Sequence, residues 1–372
     1  MNNEKQKDRF RNIQHPLFGI SFKNWISLVK NNGYIDLTNL DRAAFITLGS
    51  IFTLPARLYF NKHIKPKIKR YTMKKHPVII IGHWRSGTTY LHELLSQDSQ
   101  FCYVSLMNTM LPDSFLLFDS SKQFLSNFLP KTRPMDNIEV HIDGPYEEEA
   151  GLAVLSPYSF FHALHFPKNA EKQYLKSIHF LGLTESEKQQ WKEMYNTFMK
   201  TIVYANNGKQ LLLKDPANTA RIPLLLELYP NAKFIHIYRN PYKVYMSTIK
   251  MRNKVLEKLA LQKGDRVEIE KQVINNYKRL MKSYFEQKKL IPEQNLIEIR
   301  YEDLVKNPLG QVQELYSKLQ ISNITKAIPA MQRYLEQKKN YRTNRYTIDQ
   351  EIISHIKKEW NFTIGRWNYH PP

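Results

Sequence analysis

Residues 77–89, PVIIIGHWRSGTT, decide the fold of this chain. Their apolar start predicts a buried β-strand that ends at Gly82, and TTYLHELLSQ, beginning at Thr88, predicts a helix. A glycine-bounded turn between a strand and a helix presents backbone N–H groups to an anion. The turn has the G-x-x-x-x-G outline of a phosphate-binding loop, but Thr88 stands where such a loop carries its lysine. We therefore predict an anion site that disfavours ATP or GTP hydrolysis; the alternative is a turn that only caps the helix.

Three further strand-like segments follow the loop and are separated by helical patterns. They are KQLLLKD at 209–215, AKFIHIYR at 232–239 and NLIEIRYED at 295–303. Strands that alternate with helices form βαβ units, and ligands bind such sheets at the carboxyl ends of the strands. We therefore predict an α/β fold, a P-loop-like three-layer domain with a central, mostly parallel sheet flanked by helices. Its ligand-binding edge should carry the loop, Lys214, Arg239 and Tyr301.

The charge balance favours anionic partners. The 372 residues include 55 Lys or Arg against 34 Asp or Glu, a formal net charge of +21. Such an excess suits nucleotides, nucleic acid or an acidic membrane surface, and the alternative is a solvated basic surface without a partner. A single cysteine, Cys102, excludes an intramolecular disulfide and a cysteine-based zinc cluster.

The first 75 residues predict a helical N-terminal extension, and residues 76–372 the main domain. The polar start lacks the apolar core of a signal peptide, so we expect a cytoplasmic protein. Residues 43–60 are mostly apolar and lead into residues 61–76, which hold seven Lys or Arg and no acid. Pro55 and Arg57 interrupt the apolar run too early for a spanning helix. We predict a helical hairpin or cap, with a peripheral membrane contact as the alternative.

A second motif, FIHIYRNPYKVYMS at 234–247, predicts a further phosphate site. Arg239 ends a strand, Pro241 begins a helix, and Ser247 lies eight residues after Arg239, about two helical turns along. The arginine and the serine can converge on one phosphate; the alternative is a helix start with an ordinary surface arginine. Two anion sites at neighbouring strand ends suggest a nucleotide with phosphates at both ends of its ribose.

These motifs resemble those of the sulfotransferase superfamily, whose donor is 3′-phosphoadenosine 5′-phosphosulfate (PAPS). PVIIIGHWRSGTTYL resembles the 5′-phosphosulfate loop, FIHIYRNPYKVYMS the 3′-phosphate motif, and RYEDLVKNP a later strand of that family. WRSGTT and LLLKDP resemble the protein-tyrosine sulfotransferases, within a bacterial sulfotransferase-like branch. The resemblance spans residues 77–308.

The resemblance implies a transferase that moves a sulfuryl group from PAPS to a hydroxyl and releases the 3′,5′-bisphosphate PAP. It implies catalytic roles for Arg85 at the leaving phosphate and Lys214 at the transferred group, with no metal required. The residues it implies in donor binding are Arg85, Ser86, Gly87, Thr88, Thr89, Arg239, Ser247, Tyr301 and, in a late basic loop, Arg342.

The general base has a less distinct signal. The tyrosine-sulfating branch carries a glutamate about twenty residues beyond its loop arginine, but here that stretch, FCYVSLMN, holds no acid. The segment DGPYEEEAGLAV resembles a Pro-x-Glu-x-Glu segment of bacterial sulfotransferase-like proteins, which favours Glu147 and Glu149. The alternative is that these acids only stabilise a helix start. The fallback candidates are His141, His162 and His165.

The acceptor is predicted from the segment expected to cover it, residues 101–170. Its Phe, Met and Leu side chains suit an apolar pocket, so we favour a hydrophobic alcohol such as a sterol, another lipid or a phenol. The alternatives are a saccharide or a protein acceptor. More distant alternatives are a nucleotide kinase, and a basic, non-enzymatic protein that binds nucleic acid or membrane. Thr88 in the lysine position argues against the kinase, the order of the motifs argues against the non-enzymatic protein, and we expect no nucleic-acid partner.

Overall fold

The computed structural model describes residues 15–127, 129–130, 132–133, 138–339 and 348–371. The chain forms two compact units. The helical unit takes in the described residues of 1–73, 104–207 and 252–268. The sheet unit takes in those of 74–103, 208–251 and 269–372. The predicted division near residue 75 into an extension and a main domain stays a prediction.

The sheet unit is built on five parallel strands. They are β1 Val78–Ile81, β2 Phe101–Tyr103, β3 Gln210–Lys214, β4 Lys233–Tyr238 and β5 Leu296–Arg300, in the order β2-β3-β1-β4-β5. The structure confirms the α/β prediction of a central parallel sheet flanked by helices. Strand β2 was not predicted, because its three residues, FCY, are too few to show a pattern.

The register of the sheet aligns the strand ends that carry the predicted ligand residues. Ile80 of β1 pairs with Lys214, Ile81 pairs with His236 of β4, and Tyr238 pairs with Arg300. Since all the strands are parallel, the segments that follow β1, β3, β4 and β5 leave the sheet at one edge. This edge is where the loop begins.

Helices of the sheet unit cover the sheet. They are Thr88–Leu95, Ile222–Leu228, Tyr301–Lys306, Pro308–Lys318, Ile324–Gln337 and Gln350–Ile364. Their apolar side chains, among them Leu91, Leu304, Leu315 and Met331, form one buried cluster with Ile80 of the central strand. Two longer helices, Pro241–Leu259 and Arg266–Gln287, contain residues of both units.

The helical unit has its own core. Its helices are Phe22–Asn32, Leu40–Phe52, Leu54–Tyr59, Lys65–Arg70, Leu106–Met110, Lys122–Ser126, Glu148–Leu155, His162–His165, Ala170–Ile178 and Glu185–Ala205. Trp25 and Ile46 share a buried cluster with Val154, Phe166 and Leu261. The N-terminal helices therefore pack on later parts of the chain within this unit.

The predicted hairpin at residues 43–60 is wrong. The segment forms two helices that follow one another with a bend of 43°, far from an antiparallel pair. In the described part of the chain, no single helix has the length and apolar composition that a membrane crossing requires. The bent pair Leu37–Phe52 and Leu54–Arg70 meets those two criteria only when its helices are taken together.

Candidate functional site

The loop after β1 is held at its first glycine by a segment distant in the sequence. Gly82 has a φ of 143°, and a Cβ atom there would lie 2.3 Å from the carbonyl oxygen of Ile237. Its N–H donates to Oγ1 of Thr219 at 2.8 Å, and the same hydroxyl donates to the Gly82 carbonyl at 3.1 Å. Thr219 is fully buried in the turn that follows β3. These contacts fix where the loop begins.

The last glycine of the loop allows a close approach. Gly87 has a φ of 100°, and a Cβ atom there would lie 2.2 Å from the ring of Tyr301. The helix Thr88–Leu95 begins directly after it, and no side chain caps that helix start. An uncapped helix start offers its first N–H groups and its positive dipole end to an anion.

The two predicted phosphate motifs contact each other. Arg85, at a φ of 70°, donates from Nε to Oγ of Ser247 at 2.8 Å. Arg239 donates from a guanidinium nitrogen to the Arg85 carbonyl at 3.3 Å. The Arg239 guanidinium also lies over the ring of Tyr301, 4.2 Å from its centroid. The sheet unit thus brings Arg85, Gly87, Arg239, Ser247 and Tyr301 together at one edge.

One atom of this cluster lacks a protein partner. Nε of Arg239 is buried and has no hydrogen bond among the described residues. A buried N–H of a guanidinium is costly to leave without an acceptor. The cationic edge therefore suits an anionic ligand that supplies an oxygen at this point.

The remaining loop residues differ in exposure. Ser86 and Thr88 are buried, whereas Thr89 is half-buried. The N–H of Ser86 donates to the carbonyl of His83 at 3.2 Å. Burial lowers the pKa of His83 to about 4, so this imidazole is neutral at pH 7 and adds no charge to the loop.

Lys214 ends β3 and is buried, with 2% of its surface exposed. The next residue, Asp215, begins the following turn, because its side chain accepts from the N–H of Ala217 at 2.9 Å. Burial, and then the charge of Lys214, lower the pKa of His92 on the loop helix well below its usual value. The His92 imidazole therefore stays neutral beside Lys214.

Some residues at this edge carry no sequence signal. The amide of Asn240 donates to the carbonyl of His370 at 2.9 Å, and Tyr369 donates to the Glu302 carboxylate at 2.7 Å. The C-terminal residues are thereby tied to the ends of β4 and β5. These contacts, like that of Thr219, join segments far apart in the sequence. Arg342, predicted to cover the 3′-phosphate, lies outside the described residues.

The candidate bases belong to the helical unit. Glu147 is half-buried and directly precedes the helix Glu148–Leu155. The three acids therefore lie at the start of a helix, the position that the alternative prediction gives them. Glu149 is fully buried, and its carboxylate accepts from the N–H of Phe160. Glu148 is also fully buried and accepts from the hydroxyl of Tyr195 at 3.2 Å.

The fallback histidines occupy two environments. His141 is exposed, with its ring 3.6 Å from the Glu139 carboxylate. His162 and His165 are fully buried, and His162 contacts the carbonyl of Ser156 at 2.9 Å. Burial lowers the pKa of His162 to about 4 and that of His165 well below its usual value.

No metal site accompanies these groups in the part of the chain that the structure describes. That part contains no group of three or more His, Cys, Asp or Glu side chains placed to hold a metal ion.

The comparisons with known proteins agree with the motifs. The model of the Sulfotransferase family matches residues 77–325. An omega-hydroxy-beta-dihydromenaquinone-9 sulfotransferase, Stf3, from Mycobacterium bovis is 30% identical over 363 residues, which cover 97% of this chain and 93% of the relative. Its counterpart from Mycobacterium tuberculosis matches equally.

Solved structures show the same fold at lower sequence identity. The sulfotransferase STF9 from Mycobacterium avium has a TM-score of 0.69 at 13% identity, covering 95% of this chain and 97% of that one. STF1 from Mycobacterium tuberculosis H37Rv has a TM-score of 0.66 at 16% identity, covering 95% and 92%. With the family model and the 30% identical relatives, the conclusion is that this chain belongs to the sulfotransferase family and is a sulfotransferase.

Proposed function

We propose that this sulfotransferase takes its sulfuryl group from PAPS and transfers it to the hydroxyl of an apolar alcohol, releasing PAP. The observation that carries the donor assignment is the buried Nε of Arg239, which has no acceptor among the described residues, beside the Arg85–Ser247 contact. An anion at this edge would supply that acceptor. PAPS has anionic groups at both ends of its ribose, which matches two cationic motifs that touch.

We name the loop after β1, together with Lys214, Arg239, Ser247 and Tyr301, the donor edge. Each of its residues has a role in this proposal. The loop amides, Arg85, Ser86, Gly87, Thr88 and Thr89 hold the 5′-phosphosulfate. Arg239 and Ser247 hold the 3′-phosphate, with Arg342 as a further ligand, and Tyr301 lies against the adenine. Arg85 donates a hydrogen bond to Ser247, so binding at either phosphate should influence binding at the other.

The reaction exchanges one S–O bond for another. The acceptor oxygen bonds to sulfur as the bond from sulfur to the 5′-phosphate oxygen breaks, and the acceptor proton passes to a base. Negative charge grows on the leaving phosphate, where the Arg85 guanidinium stabilises the transition state more than the ground state. Lys214 is assigned to the transferred sulfonate and the leaving oxygen. The proposal assigns no metal.

Glu147 and Glu149 remain the proposed bases. The fully buried carboxylate of Glu149 accepts a hydrogen bond from the Phe160 N–H, so it already has a structural role. Glu147 is only half-buried and stands before the helix. We therefore favour Glu147 as the residue that receives the proton, with Glu149 second and exposed His141 as the fallback.

The apolar acceptor is supported by a relative. Stf3 is named for an omega-hydroxylated menaquinone, a lipid alcohol, and matches 97% of this chain. We propose an acceptor of the same class, a hydroxylated lipid-like molecule, which the enzyme meets by peripheral contact with a membrane. Saccharide and protein acceptors are the competing classes.

Thermal unfolding with PAP tests the donor assignment. PAP should raise the melting temperature of the wild type, because a ligand that binds only the folded state stabilises it. Arg239→Ala should abolish most of that rise, whereas the exposed Arg333→Ala in the same unit should keep it. A wild type that PAP fails to stabilise would remove the donor proposal.

Labelled PAPS then tests the acceptor. The enzyme is incubated with matched panels of sterols, long-chain alcohols, phenols, sugars and peptides, and transferred sulfonate is counted. We expect transfer to the lipid-like alcohols to exceed transfer to sugars and peptides. Preferred transfer to a sugar or a peptide would retain the donor assignment and overturn the apolar acceptor.

A further inference from the structure

The helices Leu40–Phe52 and Leu54–Tyr59 turn their large apolar side chains outward. These side chains recur at spacings of three or four residues, so they lie along one face. They are between 45% and 69% exposed. We name this set the apolar stripe: Leu48, Ile51, Phe52, Leu54, Leu58 and Tyr59. Exposed apolar side chains are ordinary when single, but a contiguous row marks a binding surface.

The opposite face of the same helices is buried and carries Ile46 beside small and polar residues. Gly49, Ser50, Thr53 and Arg57 lie on it. A Cβ atom at Gly49 would lie 2.4 Å from Phe18, so this face is packed closely against the helical unit. An ordinary surface helix buries its apolar face. Here one helix face buries Ile46 with polar side chains, while several larger apolar side chains are exposed on the other face.

Arg57 holds the helices in this orientation. Its guanidinium donates to Asp113 at 2.6 Å, to the Gly19 carbonyl at 2.6 Å and to the Thr53 hydroxyl at 3.0 Å. Rotating the helix to bury the stripe would break this paired, buried charge, which is costly to leave uncompensated. The outward direction of the stripe is thus fixed by contacts within the helical unit.

A basic segment follows the stripe directly. Lys62, Lys67, Lys69 and Arg70 are exposed, and residues 61–76 contain no acidic side chain. A stripe of apolar side chains beside exposed cations complements the surface of an anionic bilayer, whose headgroups attract the cations while its acyl chains receive the stripe. A second copy of the chain would instead bring two such basic segments together.

We propose that the apolar stripe and this basic segment form a docking surface for an anionic lipid bilayer. The stripe lies in the boundary between headgroups and acyl chains, and the basic segment contacts the headgroups. The helices lie on the membrane and do not cross it, because Arg57 and Gly49 keep their other face on the helical unit. Only the purpose of this surface, access to a lipid-like acceptor, rests on the proposed function.

Vesicle sedimentation tests the surface without any turnover. The full-length protein is mixed with phosphatidylcholine vesicles, with or without phosphatidylglycerol, and the bound fraction is measured. We expect binding to the vesicles that contain phosphatidylglycerol. The double variant Phe52→Ser, Leu58→Ser should weaken it about a hundredfold, since each buried apolar side chain contributes roughly tenfold or more.

A matched control uses Phe124→Ser with Leu181→Ser, in the same unit. These side chains are 64% and 57% exposed, against 69% and 59% for Phe52 and Leu58. The control variant should bind like the wild type. The triple variant Lys62→Gln, Lys67→Gln, Lys69→Gln should lose about fivefold per lysine on the anionic vesicles and little on the neutral ones.

Three outcomes would overturn the docking surface. They are a wild type that binds neither vesicle, a stripe variant that binds as well as the matched control, and a wild-type dimer that the stripe variant dissociates. The last would identify the stripe as an interface between copies. Sulfonate transfer from PAPS to an alcohol dispersed in detergent, retained by the stripe variant, would leave the proposed function standing in each case.

Discussion

The donor edge of the sheet unit and the segment from Glu147 to His165 of the helical unit use their charged groups differently. At the donor edge, the Arg239 side chain from one strand end meets the Arg85 carbonyl in the loop after another, and a buried guanidinium N–H has no acceptor among the described residues. In the segment 147–165, Glu148, Glu149 and His162 make hydrogen bonds within their own unit, whereas neither ring nitrogen of His165 has a hydrogen bond among the described residues.

This difference fits our proposal that the donor edge binds a ligand, whereas Glu148, Glu149 and His162 hold the fold. Nε of Arg239, at the end of β4, has no acceptor among the described residues, so it remains available to donate to an anion. The Glu149 carboxylate accepts from the Phe160 N–H, so this acid has a structural role whatever its part in the reaction. The predictions below test whether that division is correct.

The largest effect should come from Arg85→Ala at the donor edge. Removing a group that stabilises developing charge costs roughly 10²–10³ in turnover, about 3–4 kcal/mol. The φ of 70° is equally unfavourable for arginine and alanine, so the backbone contribution cancels. Turnover and PAPS affinity are measured separately by saturation kinetics with labelled PAPS.

Arg85→Lys and Arg333→Ala are the controls for that experiment. The lysine keeps a charge but loses the planar fork, so it should recover only part of the turnover. The Arg333→Ala rate should equal that of the wild type. If Arg85→Ala retained near-normal turnover with PAPS binding weakened, Arg85 would hold the donor without stabilising the leaving phosphate.

The donor edge was largely predictable from the sequence because its signals are local. The strand, the glycine turn and the helix start of residues 77–95 are contiguous, and Pro241 marks the helix that carries Ser247. The parallel order of the sheet follows from strands alternating with helices. Local patterns of this kind predict structure without any knowledge of the contacts between distant segments.

The supporting contacts could not be predicted, because they join distant segments. Thr219 lies 137 residues from Gly82, and nothing in PANTA indicates that its hydroxyl anchors the loop. The outward apolar stripe contradicts the usual rule that apolar side chains point inward, and the Arg57–Asp113 pair that helps to fix it joins residues 56 positions apart in the sequence. Glu147 and Glu149 look alike in sequence, but their burial differs.

The next largest effect should distinguish Glu147 from Glu149, because we expect turnover to depend on the first and stability on the second. Glu147→Gln should lower turnover by on the order of 10²-fold with PAPS affinity unchanged, because it removes a general base. Glu149→Leu should instead destabilise the fold by about 1–3 kcal/mol, since the buried Phe160 N–H loses its acceptor. Saturation kinetics and urea denaturation measure these two outcomes.

Glu149→Gln is the matched control, because its amide oxygen can still accept from Phe160. It should keep the stability of the wild type and, if Glu149 is structural, much of its turnover. A large loss of turnover in Glu149→Gln with wild-type stability would transfer the role of base to Glu149. Wild-type turnover in both glutamine variants would leave His141 as the candidate.

The smallest effect is a dependence of stability on pH that arises in the helical unit. Burial, the main cause, lowers the pKa of His15 and of His162 from 6.5 to about 4; the charge of Arg42 lowers that of His15 further, while Glu149 partly raises that of His162. Between pH 6.5 and pH 4 these two histidines therefore bind protons in the unfolded chain but not in the folded chain. Stability is fully present above pH 6.5 and falls as the pH drops toward 4.

Between pH 7 and pH 6 the free energy of unfolding should decrease by about 1 kcal/mol for this pair of histidines. Urea denaturation at the two pH values measures it, and His162→Gln should remove part of the slope. The exposed His141→Gln should not change it. An equal free energy of unfolding at both pH values would mean that the buried rings accept protons in the folded chain, and burial of these two histidines would then not limit their protonation.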